Sequence, residues 1–173
     1  MTTEEAKLLL PKDINQVAQT WADLGCGNGT FTYALAELLC TGSKIIAIDQ
    51  SSQYIKQEHN DIPIEFRKEN IENDMKNLPD LDGIIIANVF HFIKQKTNLV
   101  EKWKHHLSEN GQWIIVEYEH HQSNVYEPYP LPFDDLKSLF HKAGYSVIKK
   151  TGERKSRYGG KMYSAFISKL EQP

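Results

Sequence analysis

The chain has 173 residues, a formal charge of −3 and a composition that is 40% hydrophobic. That length predicts a single domain over 1–173, burying roughly 70% of its unfolded surface in a core that needs no staples. The mild acidity argues against a dedicated nucleic-acid surface, and no apolar run approaches the roughly 18 residues of a membrane span. There is no basic-then-apolar leader and no C-x-x-C pair, so Cys26 and Cys40 read as free thiols of a cytoplasmic protein.

Residues 1–20 read as an N-terminal extension with one short helix, Thr2 to Leu10, ended by Pro11. A short strand, Trp21 to Leu24, runs into glycines at alternate positions, Gly25, Gly27 and Gly29. Phe31, Ala34, Leu35, Leu38 and Leu39 then recur at helical spacing as far as Cys40. Lys44 to Asp49 is a buried strand ending in an acid. Ser51-Ser52 caps an expected helix through about His59, and Pro63 to Arg67 alternates as a third strand. A loop-helix carrying Met75 and Leu78 leads to Asp82–Asn88, the continuous apolar run of a central parallel strand. A helical segment from Val89 to Leu107, with a break expected near Lys96-Thr97, is stopped by Asn110-Gly111. Gln112 to Tyr118 is the fifth strand, and an insert over 119–132 follows. Phe133 to Ala143 is a helix capped by Gly144. Tyr145–Thr151 and Lys161–Lys169 lie too close for a helical crossover and pair antiparallel. The expected fold class is α/β: a doubly wound, mostly parallel seven-stranded sheet with an antiparallel C-terminal hairpin.

In such a sheet, ligands bind beyond the carboxyl ends of the strands. Those ends carry Asp23 with the glycine loop, Asp49, Asn70, Asn88 and Glu117-Tyr118. Glycines at these spacings permit a sharp turn off the strand and a close approach of backbone to ligand. Asp49 stands about 20 residues after the loop, where a carboxylate accepts hydrogen bonds from a ribose diol. A helix N-cap is the alternative role for it.

Asp23-x-Gly25-x-Gly27-x-Gly29, then Ile46-Ala47-Ile48-Asp49, then Asp82 to Asn88 with His91, resemble the ordered motifs of class I S-adenosylmethionine-dependent methyltransferases. The terminal hairpin is similar to the end of that family's seven-stranded sheet, and the resemblance runs from about Trp21 onward. It implies S-adenosyl-L-methionine as cofactor and S-adenosyl-L-homocysteine as product. It implies that Asp23 helps hold the methionine amino group and that Gly25, Cys26, Gly27, Asn28 and Gly29 bind the cofactor. Asp49 would take the ribose hydroxyls, with Gln50 beside the adenine. Asn70, followed by Ile71, stands where the family commonly has an Asp that receives the adenine amino group. An amide carbonyl accepts that bond without charge assistance. Asn88 would lie beside the methionine, at the mouth of the substrate site.

Two other readings compete. A nicotinamide-dinucleotide oxidoreductase shares the glycine turn and the ribose acid, but its G-x-G-x-x-G fingerprint fails, because residue 30 is Thr and residue 29 is Gly. A non-catalytic adenosyl-binding module would keep Asp23 to Gly29 and Asp49 and lack an acceptor pocket.

Methyl transfer from a sulfonium requires an acceptor held close and water excluded, and an oxygen or nitrogen acceptor often needs a base. The expected acceptor is the oxygen, nitrogen or carbon of a small molecule, bound by a monomer or homodimer. His91 is the candidate base, with simple packing in the apolar Phe90–Ile93 patch as its alternative. Tyr118 is expected to orient the acceptor or wall the pocket, with simple packing as its alternative. Strand alternation sends Glu117 to the other face, so at most one of the two is expected at the site. Within the insert, Tyr126 and Tyr129 form an expected aromatic substrate wall, with a proline-stiffened surface crossing as the alternative, and Arg157 in the hairpin loop is an expected anion contact or a solvated side chain. His105-His106 and His120-His121 are adjacent pairs whose side chains diverge, so no metal site is expected.

Overall fold

The computed structural model describes residues 1–12, 14, 17–156 and 160–169. α1 (Thr3–Lys7) opens on a capping box: the Thr2 hydroxyl accepts from the Glu5 N–H at 3.2 Å, and the Glu5 carboxylate accepts from the Thr2 N–H at 2.9 Å. β1 (Thr20–Leu24), α2 (Thr30–Ala36), β2 (Lys44–Asp49), β3 (Glu58–His59), β4 (Ile62–Lys68) and β5 (Leu81–Ala87) follow. Then come α3 (Lys96–Trp103), β6 (Leu107–Tyr118), α4 (Phe133–Lys142), β7 (Val147–Lys155) and β8 (Lys161–Ser168).

The strands form one eight-stranded sheet in the order β3-β4-β2-β1-β5-β6-β8-β7. β4, β2, β1, β5 and β6 are parallel neighbours, and β8 runs antiparallel to both β6 and β7. This is the mostly parallel α/β sheet with an antiparallel ending that the sequence predicts, with the two-residue β3 as an additional antiparallel edge on β4. The order reverses between β1 and β5. That switch point sets the loop after β1 against the residues after β5, the usual place for a ligand in an open α/β sheet.

Successive residues of each central strand enter opposite cores, as a period of two requires. Trp21, Ile45, Ile85, Ile114 and Val116 pack with Leu9, Leu35 and Leu39 on the α1–α2 side. Ala22, Ile46, Ile84, Ile86, Trp113 and Ile115 pack with Trp103, Leu136 and Phe140 on the α3–α4 side. Each fully buried Ile or Leu contributes roughly 1.5–3 kcal/mol. α4 ends as its Gly144 predicts, at φ +94°. The Tyr145 N–H bonds to the Phe140 carbonyl at 3.0 Å and the Gly144 N–H to the His141 carbonyl at 3.1 Å, a Schellman closure sealed by the Phe140–Tyr145 ring contact.

Several sequence expectations change. The helix expected over Ser51–His59 does not form. Asp49 Oδ1 accepts from the Ser51 N–H at 2.8 Å and the Tyr33 hydroxyl from the Lys56 N–H at 3.1 Å, so side chains take the donors a helix would use. The stretch around Met75 and Leu78 is also non-helical; the Arg67 guanidinium holds the Lys76 and Asn77 carbonyls instead. After β5 the chain makes a 3-10 turn, Phe90–Phe92, and an extended Ile93 precedes α3, so the break falls before Lys96. β6 begins at Leu107 rather than Gln112. Leu81 pairs with Leu107 but Gly83 with Gln112, so Asn110-Gly111 lies in a bulge of the strand. Among the described residues no helix is long and apolar enough to cross a membrane.

Candidate active site

Backbone hydrogen bonds hold the loop after β1. The N–H groups of Gly25 and Cys26 both donate to the Ile48 carbonyl, at 2.8 and 3.0 Å, and the Gly29 N–H closes a turn on the Cys26 carbonyl at 2.9 Å. Gly25 has φ +76°, and a Cβ there would lie 2.4 Å from Cγ2 of Val89. Its bare α-carbon therefore admits the segment after β5 rather than a ligand. Gly27 differs: at φ +52° a Cβ would meet nothing within 4 Å, so its backbone borders open space. Asn28 is exposed, its Oδ1 accepting from the Thr30 hydroxyl at 2.8 Å.

Asp23 is 1% exposed, and its Oδ2 accepts from the Thr32 hydroxyl at 2.5 Å. Burial pushes its pKa up to about 7 despite that hydrogen bond, with the Asp49 charge adding to the rise. Burial, then the charges of Asp23 and Asp49, also push the Cys26 thiol up, which keeps it protonated and unreactive. Asp49 ties the strand end to the loop: Oδ2 accepts from the Gly27 N–H at 3.0 Å and Oδ1 from the Ser51 N–H. Each oxygen keeps a further lone pair for a diol. Gln50 is exposed beside it. Asn70 Oδ1 accepts from the Glu72 N–H at 2.9 Å, which leaves that oxygen one lone pair. The Ile71 side chain packs into the core and its carbonyl accepts from Trp103 Nε1 at 2.9 Å, so it turns inward rather than toward a ligand.

Asn88 ends β5 in the left-handed region, at φ +57°, with its N–H donating to the Val116 carbonyl at 2.8 Å. Its Oδ1 is buried without a hydrogen-bond partner. Strain and an unsatisfied polar atom at one residue mark a functional position. Beside it opens a half-open cavity of about 180 Å³, lined by Asn88, Tyr118 and Met162 and by Met1, Arg154, Lys155 and Ser156. Tyr118, Met162 and Arg154 are register partners across β6, β8 and β7, so they stand in one row on one face of the sheet. Sequence reasoning misses Met1, Met162 and Arg154. Its own choice in the hairpin loop, Arg157, lies outside the described residues.

His91 is 5% exposed, and its Nδ1 lies 2.9 and 3.2 Å from the two carboxylate oxygens of Glu117, which is fully buried. The same carboxylate accepts from the backbone N–H groups of His91, at 3.3 Å, and Tyr118, at 3.2 Å. A carboxylate against Nδ1 fixes that nitrogen as the donor and leaves Nε2 its lone pair. The Tyr118 ring lies 5.6 Å from the imidazole, centroid to centroid. Alternation holds along β6, with Glu117 opposite Tyr163 and Tyr118 opposite Met162 on the other face; His91, beyond the end of β5, meets the Glu117 carboxylate and lies near the Tyr118 ring. Tyr118 also walls the cavity, whereas His91 does not line it directly.

The insert straps this corner. The Tyr129 N–H donates to the His91 carbonyl at 2.9 Å, and Lys96 Nζ donates to the carbonyls of Ile93 and Tyr129 at 2.8 and 2.7 Å. Burial lowers the Lys96 pKa. His120 pairs with Glu127, and Glu119 accepts from the Phe133 N–H at the start of α4. Tyr129 meets His91 through its backbone only, its ring lying 5.6 Å from Lys96 Nζ and outside the cavity wall. Tyr126 is 81% exposed and outside the cavity wall, so it forms no part of an aromatic wall there.

Open space at Gly27, the Asp49 carboxylate and the unpartnered Asn88 Oδ1 follow one another along the carboxyl ends of β1, β2 and β5. They fit an adenosyl amino acid, which offers a diol, an extended chain and an ammonium group. Fold and site together define a class I S-adenosylmethionine-dependent methyltransferase. Residues 22–113, just over half of the chain, match the family model described as a methyltransferase domain, and the chain belongs to that family. The match sets aside the oxidoreductase and non-catalytic readings.

Solved structures share the fold. A S-adenosylmethionine-dependent methyltransferase from Archaeoglobus fulgidus superposes with a TM-score of 0.72 at 17% identity, covering 96% of this chain and 94% of that one. An arsenic(III) S-adenosylmethionine methyltransferase from Chlamydomonas reinhardtii gives 0.70 at 15% identity, covering 95% of this chain, which spans 66% of the algal protein. The 1,6-didemethyltoxoflavin-N1-methyltransferase of Burkholderia thailandensis, with 1,6-didemethyltoxoflavin and S-adenosylhomocysteine bound, gives 0.69 at 14% identity, covering 96% and 76%. At these identities the likeness is one of fold. No curated protein matches the chain significantly.

Proposed function

We propose that this protein methylates an oxygen or nitrogen of a small molecule, with His91 as general base; a carbon acceptor is the case in which that base stands idle. The supporting observation is the buried His91–Glu117 pair, held against Tyr118 and three residues from the unpartnered Asn88. S-adenosylmethionine supplies a methyl group on a sulfonium, already joined to a good leaving group. Asp49 takes the ribose hydroxyls, with Gln50 and Asn70 toward the adenine, while Asp23 and Asn88 bracket the amino-acid end. Glu117 holds Nδ1–H, so that Nε2 would receive the acceptor's proton as the acceptor atom bonds to the methyl carbon and the methyl–sulfur bond breaks, releasing S-adenosylhomocysteine. Tyr118 sets the acceptor's position, and Tyr129 with the insert over 119–132 keeps water from His91.

The Burkholderia neighbour's 1,6-didemethyltoxoflavin, a small molecule methylated at N1, favours this class of acceptor. The arsenic chemistry of the algal neighbour is less favoured, because burial keeps the Cys26 thiol protonated and the other cysteine is Cys40. The test is His91→Ala, assayed with labelled S-adenosylmethionine against an acceptor drawn from a panel of phenols and amines. Calorimetric affinity for S-adenosylhomocysteine stays at the wild-type value while transfer falls about 10²–10⁴-fold. Wild-type turnover by the variant would remove His91 from the mechanism.

A further inference from the structure

The cavity beside Asn88 has a composition of its own. Tyr118, Met1 and Met162 give it aromatic and thioether walls, which suit a flat apolar body. Its far wall is cationic. Arg154 Nη2 donates to Glu5 Oε1 at 3.0 Å, but Nη1 is buried without a partner, and Lys155 lines the same wall. Arg154 and Lys155 thus set two cationic side chains on this wall, in a chain whose formal charge is −3, with the Glu5 carboxylate paired to the guanidinium. A buried guanidinium nitrogen left unsatisfied is costly, and a guanidinium is best satisfied by a carboxylate. The volume, about 180 Å³, compares with the roughly 150 Å³ apolar cavity that holds one benzene.

Resting on the methyltransferase reading above, we infer that this cavity is the acceptor pocket and that its substrate is a single-ring organic carboxylate, gripped at the acid by Arg154. Asn88 bounds the pocket on the cofactor side and Arg154 on the other. The ring lies between Tyr118 and the two methionines, and the nucleophile points back toward Asn88. Glu5 competes with the substrate for the guanidinium and so sets the strength of the grip. Arg154 is thus the specificity-determining residue, and the ion pair to α1 is its resting partner.

The test uses 3-hydroxybenzoate and its neutral isostere 3-hydroxybenzamide as probes, titrated calorimetrically into the full chain with and without saturating S-adenosylhomocysteine. The wild type binds the carboxylate at least ~10-fold more tightly than the amide, a preference of about 1.4 kcal/mol. Arg154→Gln brings the two probes to parity, and Glu5→Gln, which removes the competing negative charge, widens the preference. These opposite signs separate recognition from a general loss of folding, and unchanged S-adenosylhomocysteine affinity in both variants confirms an intact cofactor end. Equal affinity for the two probes in the wild type, binding of neither, or a preference that survives Arg154→Gln overturns the assignment. A carboxylate preference in a protein that fails to bind S-adenosylhomocysteine would overturn the methyltransferase reading and leave the anion pocket standing.

Discussion

Along the β1–β2–β4 side of the sheet's carboxyl edge, polar side chains are satisfied within the chain: Asp23 by Thr32, Asp49 by Gly27 and Ser51, Asn70 by Glu72. Along the β5–β6–β8–β7 side, Asn88 Oδ1 and Arg154 Nη1 are buried without partners. The first region is a closed network that holds its shape without a ligand. The second keeps buried polar atoms that no described side chain satisfies. A receptor for one invariant cofactor gains from pre-organisation, whereas an acceptor pocket gains from groups whose satisfaction depends on the right molecule arriving.

The contrast can be broken most forcefully at Asp23. Its folded pKa of about 7 lies above the ordinary 3.8, so the protonated form stabilises the fold. That contribution is complete below pH 3.8 and is lost as pH rises through 7. Denaturant titrations at pH 4 and pH 8 should show the wild type losing up to about 4 kcal/mol relative to Asp23→Asn. If Asp23 also meets the cofactor's ammonium group, S-adenosylhomocysteine affinity rises over the same interval in the wild type and not in the variant.

Gly25→Ala comes next. A Cβ 2.4 Å from Val89 at positive φ combines overpacking with backbone strain, and urea unfolding should register a loss of about 2–4 kcal/mol. Gly27→Ala meets no such neighbour, so its stability cost is only the backbone term of about 1 kcal/mol. Its main effect is on S-adenosylhomocysteine binding, which weakens at least ~10-fold if open space at Gly27 serves the cofactor. Equal stability losses for the two glycines would erase the distinction between them. Smallest of all, Tyr126→Ala on the exposed insert should change stability by less than about 0.5 kcal/mol and leave transfer intact.

The cofactor side is legible in the sequence because its determinants are contiguous. Gly25 to Gly29 and Asp49 each follow directly on a strand whose apolar pattern is readable, and the backbone does the rest. Even there, periodicity does not reveal that Asp49 and Tyr33 take the donors of the expected 51–59 helix, or that Val89 fills the space over Gly25. The acceptor side is a product of register. Glu117 reaches His91 across 26 positions, and Glu5 reaches Arg154 across 149. Tyr118, Met162 and Arg154 align only because two antiparallel pairings bring them into one row. A one-residue slip in either pairing would send a different set to that face, and β7, with Lys149, Lys150, Glu153, Arg154 and Lys155 on both of its faces, carries too little alternation to fix it from sequence.

The claim that the β1–β2 edge is a finished adenosyl site is tested most directly by calorimetric titration of the wild-type protein with S-adenosylhomocysteine and, separately, with NAD. The account predicts one S-adenosylhomocysteine site of micromolar affinity and no response to NAD. Binding of NAD, or of neither compound, would contradict it.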